Sequence, residues 1–368
     1  MQNTTNALYM QIYNDLLEEI KSSKYAKNER LPTELELSKK YYVSRITSKK
    51  ALNMLAEKNY IIRIKGKGSF VSPHVLQSTG KIVGKTVGVI MPNFFDAYGK
   101  GILYAIEEKC RKNNMFCMLR LTWDDQAYES KSIEDMIEYG VSGLIINPVH
   151  GHYYNKIVLK QILDGFPVVV IDRKLRGIPS SFVGTNNVLA GEKAMDYLIS
   201  KGHKKIAIFS SKPKRTSSLE DRLKGALRRA ENEDCLDVQV KANLWQTHKS
   251  HTPDSFEKSN AIIAEHLTNY PETTAIIAAN YQIAAVVKHA VTSFGLKVPD
   301  DISIICFDSP SNGCPLSEAL LFEFTHVRQK EREIGEKAFD VMLKLMNEET
   351  SKAFDIEFDS DIIEGNST

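Results

Sequence analysis

Residues 31–71 read LPTELELSKKYYVSRITSKKALNMLAEKNYIIRIKGKGSFV. Thr33 followed by Glu36 forms a capping box, in which two side chains satisfy free backbone N–H groups at a helix start. A helix is therefore expected over residues 34–41. After the break at Tyr42-Val43, Ser44 is placed to cap a second helix of about fourteen residues. At 100° per residue, Ala51, Met54 and Leu55 share one arc of that helix, and Arg45 and Lys49 lie across from it. Ile61, Ile62, Ile64, Phe70 and Val71 are strand formers around Gly66-Lys67-Gly68, so the chain next makes a hairpin with Arg63, Lys65 and Lys67 near its tip.

A helix with an apolar side and cations in its first turns suits entry into the DNA major groove by its N-terminal end. The competing reading is a solvated charged face. The basic hairpin that follows favours DNA, because it makes a wing with a positive tip. Gly66-x-Gly68 lacks the following helix and the Gly-Lys-Ser/Thr of a phosphate loop. Candidate DNA contacts are Thr33, Glu34, Ser44, Arg45, Thr47, Ser48, Lys49, Lys65, Gly66 and Lys67.

Over residues 8–71 the chain resembles the GntR family of bacterial transcription regulators. The matching residues are Tyr9-x-Gln11-Ile12, Leu31-Pro32-Thr33-Glu34, Leu37, Val43-Ser44-Arg45-x-Thr47-x-Lys49-x-Ala51-Leu52, Leu55 and Gly66-x-Gly68-x-Phe70-Val71. The family usually has arginine where Lys49 stands. Lysine keeps the charge but loses the two-pronged grip on guanine or phosphate.

Charge divides the chain in the same place. Residues 1–85 hold 15 Lys+Arg against 7 Asp+Glu, a net of +8, and the remainder holds 33 against 39, a net of −6. The 368 residues leave room for a large second domain after a small basic one. Residues 1–71 are expected to form the DNA-binding domain, 72–84 (SPHVLQSTGKIVG) a linker, and 85–368 a second domain. No secretion signal, membrane span or lipidation site is read, so a soluble cytoplasmic protein is expected. Five cysteines, Cys110, Cys117, Cys235, Cys306 and Cys314, lack paired spacing and read as reduced packing residues.

Beyond residue 85 apolar strands alternate with helices. Strands are expected at Thr86–Met91, Phe116–Leu121, Gly143–Ile146, Val168–Ile171, Ser181–Gly184, Lys205–Phe209, Ala275–Ala278 and Ser303–Phe307. Helices are expected at Gly101–Asn113, Ser130–Tyr139, Val188–Lys201, Ser218–Glu231 and Gln282–Phe294. Strands this apolar imply an α/β fold with parallel sheets covered on both faces, where ligands bind beyond the carboxyl ends of the strands. Those ends carry Asn93-Phe94-Phe95, Asp172-Arg173, Ser210–Arg215 followed by Arg222, Asn280-Tyr281 and Asp308. Aromatics with carboxylates, amides and arginines make a sugar site. Singly, each has a plainer reading: Phe94 or Phe95 as core, Asp172-Arg173 as a surface ion pair, Asn280 as a helix cap, Arg222 as a surface arginine. Trp245 fits cleft and core equally well.

Residues 85–364 resemble the effector domain of LacI/GalR repressors and the related periplasmic sugar-binding proteins. The match rests on Asn93-Phe94-Phe95, Ile171-Asp172-Arg173, Asn187-x-x-Ala190-Gly191, Gly202-His203-Lys204-Lys205-Ile206, Arg222-x-x-Gly225, Ala279-Asn280, Val298–Ile304, Phe307-Asp308 and Thr325-x-Val327-Arg328-Gln329. The resemblance implies two lobes that close on a sugar, phenylalanines that stack on it, and Asn93, Asp172, Arg173, Arg222 and Asp308 bonding its hydroxyls. It also implies a homodimer on palindromic operator DNA, joined through the body, where the helices at 101–113 and from Gln282 are candidates. Tyr281 stands where the family usually has Asp, Asn186 where Asp is common, and Cys306 where Gly is common. A GntR head on a LacI-type body is the layout of the arabinose repressors of Gram-positive bacteria. No cofactor or metal is expected.

An enzyme is the rival class, since sugar hydrolases share doubly wound sheets. His150-x-His152 with Asp124 and Asp125 invites a metal or acid/base site, but the spacing fixes no ligand set. No nucleophile elbow or phosphate loop accompanies them.

Overall fold

The computed structural model describes residues 2–22, 24–58, 60–64, 66–72, 85–93, 97–149, 153–211, 216–234, 236–244, 253–310, 322–347 and 352–368. The chain divides into two compact units, Met1–Gly84 and Lys85–Thr368.

The head opens with α1 (Gln2–Lys21), whose Ile12, Leu16 and Ile20 recur every four residues and are fully buried. Next come α2 (Glu34–Lys40) and α3 (Arg45–Glu57), then β1 (Ile61–Ile64) and β2 (Gly68–Val71). Both halves of the capping box form, with Glu36 N donating to Thr33 Oγ1 at 3.3 Å and Thr33 N to Glu36 Oε2 at 2.7 Å. Ser44 caps α3 by accepting from Thr47 N at 3.2 Å. The hairpin pairs Ile61 with Val71 and Ile64 with Gly68, and its turn carries positive φ at Gly66 (78°) and Gly68 (119°), a region that glycine enters without steric cost. Leu37, Leu52, Leu55 and Val71 close a core over α1. Ser72, expected to begin the linker, is buried and donates its N–H to Tyr60 O at 3.0 Å, so it belongs to the head; residues 73–84 lie outside those described.

The body runs β3 (Thr86–Met91), α4 (Lys100–Lys112), β4 (Phe116–Leu121), α5 (Gln126–Tyr139), β5 (Gly143–Ile146), α6 (Lys156–Leu163), β6 (Val168–Ile171) and β7 (Ser181–Thr185). It continues through α7 (Asn187–Ser200), β8 (Lys205–Ser211), α8 (Ser217–Glu231), β9 (Asp237–Leu244), α9 (Pro253–Asn269), β10 (Ala275–Ala278), α10 (Tyr281–Ser293) and β11 (Ser303–Phe307). Last come β12 (Thr325–Arg328), α11 (Glu331–Met346), β13 (Asp355–Phe358) and β14 (Asp361–Ile363). One sheet has the order β13-β7-β6-β5-β3-β4, the other β14-β12-β11-β10-β8-β9. All neighbours are parallel except β14 on β12. Each sheet is the base of a lobe, and both reverse strand order at their first strand, β3 and β8. The crevice at such a reversal is where α/β sheets take ligands.

The chain passes between lobes three times, at Asn186, at Gln329-Lys330 and at Asp359-Ser360. The first lobe is therefore completed late. Ile334, Ala338, Phe339 and Met342 of α11 pack with Ile102 and Ile106 of α4 and with Val87 and Val89 of β3. In the second lobe, α7 and α8 approach at Gly191 and Gly225, where a Cβ on either would collide with backbone of the other helix. That closeness fixes the backbone at Arg222.

Some elements differ from expectation. The helix expected from Ser130 starts a turn earlier at Gln126, because Asp125 caps it through Ala127 N (2.9 Å) and Tyr128 N (3.0 Å). Asp125 is thus engaged at a helix start. The α6, α9 and α11 helices and the β12, β13 and β14 strands were not anticipated. Among the described cysteines, Cys110, Cys117 and Cys306 are free thiols; Cys235 and Cys314 lie outside the described residues. Among the described residues no helix is long and apolar enough to cross a membrane, and no cluster of His, Cys, Asp and Glu could hold a metal. His150 and His152 lie outside them.

Candidate functional site

On the head, Arg45 and Lys49 are exposed on the first turns of α3, with Ala51, Leu52 and Leu55 buried behind them. Ser48, expected among the DNA contacts, is corrected: it is 0 % exposed and faces the core, one helical turn before Leu52. Thr47 is also buried, and its hydroxyl lies 2.8 Å from Ser44 Oγ, so the pair frames the helix start. Thr33 is engaged in its capping box, and Glu34 pairs with Arg63, which also donates to Asn53. Arg63 is thereby drawn back to the helices instead of reaching out at the wing tip. Gly66 and Lys67 are exposed in the turn; Lys65 lies outside the described residues.

In the body, the carboxyl ends of neighbouring strands bring polar side chains together. Asp172 follows β6 and Asp308 follows β11, the fourth strand of each lobe in chain order. Both are 7 % exposed and both take left-handed backbone, φ 63° and 65°. For a residue other than glycine that is an uncommon conformation, held at functional sites by its surroundings. Asn147, at the end of β5, donates Nδ2 to Asp172 Oδ2 at 3.2 Å, and Arg173 Nε lies 3.6 Å from the same oxygen. Arg173 also donates to Pro148 O at 2.7 Å and lies 3.5 Å from Asp124, which follows β4.

From the second lobe, Arg222 is buried. Its Nε donates to Asn187 Oδ1 at 2.9 Å, one terminal nitrogen donates to Ala279 O at 3.0 Å, and the guanidinium lies 4.3 Å from the Phe307 ring centre. Gln329, on a crossover, donates to both Asp308 oxygens at 2.9 and 3.0 Å and accepts from Thr185 Oγ1 at 2.6 Å. Burial pushes the Asp308 carboxyl up to about 7; Arg222 and the Gln329 bonds favour its ionised form, while Glu331 and Asp172 add to the rise. At the rim, Arg176 of the first lobe meets Glu220 at 2.7 Å and Asp221, both on α8 of the second.

Several buried polar atoms here have no hydrogen-bond partner: Asn147 Oδ1, Arg173 Nε and Tyr98 Oη. Native proteins pair more than nine-tenths of such groups, so an unpaired group at strand ends asks for an explanation, of which a ligand is one. The arrangement can donate to and accept from a molecule that is itself rich in hydroxyls.

A family profile described as "Periplasmic binding protein domain" matches residues 87–350, and one described as "Bacterial regulatory proteins, gntR family" matches residues 8–71. The chain belongs to the periplasmic-binding-protein domain family, with a GntR-family head. The arabinose metabolism transcriptional repressor of Geobacillus stearothermophilus is 27% identical over 100% of this chain and 99% of its own. The transcription regulator CcpA of Lactococcus lactis shares the fold at TM-score 0.63 and 22% identity, over 77% of this chain and 99% of that one. So does a LacI family transcriptional regulator from Enterococcus faecium with bound ribose, at TM-score 0.62 and 20% identity, over 77% and 98%. With a bacterial-regulator head on a periplasmic-binding-protein domain, the protein is a transcription regulator and not an enzyme.

In this regulator two of the plainer readings fail. Asp172-Arg173 is not a surface ion pair, and Arg222 is not a surface arginine. For Asn280 the plain reading holds in part, since its Oδ1 accepts from Ile283 N at 2.9 Å and caps α10. Asn186 caps α7 in the same way through Leu189 N at 3.0 Å. Tyr281 packs edge-on against Phe324, ring centres 5.7 Å apart, and Asn93 is half-buried just past β3. Phe94, Phe95 and Trp245 lie outside the described residues. The sequence reading missed Tyr98, Asn147 and Glu331, and it quoted Asn187 and Gln329 only within matching motifs, with no role. Asn147 was findable, as the first polar residue after the strand Gly143–Ile146.

Proposed function

We propose that this regulator is a cytoplasmic, sugar-responsive repressor that binds a palindromic operator as a homodimer. Two copies of the head address two half-sites, since the two-fold symmetry of a dimer is mirrored in its operator. Arg45 and Lys49 enter the major groove, Gly66 and Lys67 meet the backbone beside it, and Thr33, Ser44 and Thr47 hold the helix starts in place. Lys49 makes a single-point contact where a guanidinium would make two.

The effector lies between the lobes, where Asn93, Asp172, Arg173, Asn147, Arg222 and Asp308 bond its hydroxyls, with Asn280 and Tyr281 as further lining. A sugar hydroxyl accepts from a guanidinium and donates to a carboxylate, which a buried site offering both can exploit at once. The observation that carries this reading is that two buried polar atoms beside Asp172, Asn147 Oδ1 and Arg173 Nε, make no hydrogen bond, although Arg173 Nε stays within ion-pair distance of Asp172. Sugar binding favours the closed arrangement of the lobes, and operator affinity changes by the difference in its stability between the DNA-bound and DNA-free states.

A thermal-shift screen against neutral mono- and disaccharides tests the body, because a ligand that binds only the folded state raises its melting temperature. A gel shift with the best sugar tests the coupling. No shift with any sugar would sink the effector reading; a shift that leaves operator affinity unchanged would sink the regulatory one.

A further inference from the structure

Glu129 lies in the first turn of α5, and the sequence reading, which began that helix at Ser130, gave it no role. It is 1 % exposed. Its oxygens each accept one hydrogen bond, Oε1 from Val149 N at 2.7 Å and Oε2 from Asn155 Nδ2 at 2.8 Å. Neither partner can turn into an acceptor. Val149 N is a backbone amide, and Asn155 is oriented by its own capping bond: its Oδ1 accepts from Ile157 N at 2.9 Å and from Ser130 Oγ at 3.1 Å, which leaves Nδ2 facing Glu129. Two acceptor oxygens and no proton match an ionised carboxylate. Burial raises the carboxyl's pKa, and the two hydrogen bonds, the charge of Arg173 and the helix start all favour the anion.

The N–H of Val149 and the C=O of Pro148 are the two edges of one planar trans peptide group, and they point in opposite directions. Arg173 grips the other edge, donating from Nη1 to Pro148 O at 2.7 Å. One peptide thus carries a buried carboxylate on its N–H side and a guanidinium on its C=O side, and hydrogen bonds in series polarise one another. The chain on either side has little freedom. Asn147 N donates to Ile90 O at 2.9 Å, and Pro148 has a fixed φ. Because a guanidinium is planar, holding Nη1 also sets the direction of Nε, the atom that makes no hydrogen bond.

We propose that Glu129 is a positioning residue for the effector site: by fixing the Pro148-Val149 peptide it fixes the plane of the Arg173 guanidinium and keeps Nε turned to the ligand. This rests on the sugar reading above. Glu129 itself touches no ligand. An arginine held in advance has less side-chain freedom to lose on binding, so its hydrogen bond adds more to affinity.

The test uses the full-length protein and Glu129→Gln, which keeps the shape but sets an amide NH2 against either Val149 N–H or the Asn155 amide. Adding Asn155→Asp to the same chain gives that NH2 an acceptor again. The first measurement needs no sugar: hydrogen exchange of the Arg173 Nε–H in protein carrying isotope-labelled arginine, its signal assigned by its loss in Arg173→Ala. Exchange should be slow in wild type, about tenfold faster in Glu129→Gln, and slow again in the paired variant. The second is calorimetry with the neutral sugar giving the largest thermal shift with wild type. Glu129→Gln should bind it about tenfold more weakly, with no further loss when added to Arg173→Ala. Unchanged exchange in Glu129→Gln overturns the proposal, as does unchanged affinity or an equal loss in the Arg173→Ala background, which would mark a general packing defect. Should Glu129→Gln fail to melt cooperatively, wild type decides alone: an Arg173 Nε–H that exchanges as fast as an exposed arginine's overturns the proposal, and a protected one upholds it. Wild-type protein that binds no sugar overturns the underlying sugar reading instead, and the exchange measurement still judges Glu129.

Discussion

The head and the body each have an arginine proposed to meet a partner, and they treat it in opposite ways. Arg45 stands exposed on the first turn of a helix, whereas Arg222 is buried, bonded to Asn187 and Ala279 and laid over Phe307. An exposed cation meets a polyanion through a long-range attraction that salt screens. A buried one gives up that reach but is pre-oriented in a low-dielectric place, where each hydrogen bond discriminates strongly. The head is thus suited to finding DNA quickly, and the body to telling one small molecule from another.

The largest expected effect breaks this comparison on the body side. Asp308, with its pKa raised to about 7, prefers to be protonated in the folded state, so its favourable contribution is complete below the ordinary aspartate range and is lost as pH rises to about 7. Relative to Asp308→Asn, wild type should lose stability at up to about 1.4 kcal/mol per pH unit across that window, on the order of 3 kcal/mol in all. Urea unfolding from about pH 5 to about pH 8 reads this, and parallel curves for the two proteins would refute a desolvated carboxylate. Next, Arg222→Ala should weaken sugar binding by about 2 to 3 kcal/mol while sugar-free operator binding persists, giving a repressor that no longer switches. Normal calorimetric affinity together with normal release would remove Arg222 from the site.

On the head side, Arg45→Ala should cost roughly 1 to 3 kcal/mol of operator affinity and leave sugar binding untouched. An unchanged gel-shift titration at fixed salt would show that α3 does not read the groove. The smallest effect sharpens the comparison: Lys67→Ala should lower the salt slope of DNA binding by about one counterion and weaken specific and non-specific DNA alike. A wild-type slope in that variant would turn the wing away from DNA. No body variant should alter that slope.

The strand ends were legible because a run of buried strand residues stops abruptly at a charged pair, as in Val168–Ile171 before Asp172-Arg173, and that contrast survives in one dimension. Both capped helices of the head were legible too, since Thr33-Glu36 and Ser44 act locally. Ser48 went wrong although the sequence held the answer: Ala51 and Leu52, three and four residues on, are core, so Ser48 shares their face. The α11 helix was similarly present in the spacing of Ile334, Ala338 and Val341. The β13 and β14 strands left little trace, being short edge strands with half-exposed patterns. Tyr98 could not be found from sequence at all, since nothing in Ala97-Tyr98-Gly99 says that a hydroxyl will be buried without a hydrogen-bond partner.

The three passages between lobes bear on how the chain is made. A ribosome delivers residues in order, and the head, with its own core, is complete before the body begins to emerge. The first lobe has most of its strands by residue 185, yet the core beside α4 stays open until α11, ending at Met346, arrives to cover Ile102 and Ile106. During that interval a nascent chain carries a finished DNA-binding domain on an unfinished sensor. A message truncated before residue 329 would yield a protein with a complete head, an exposed apolar face on its first lobe, and no Gln329-anchored crossover from which to form a working switch.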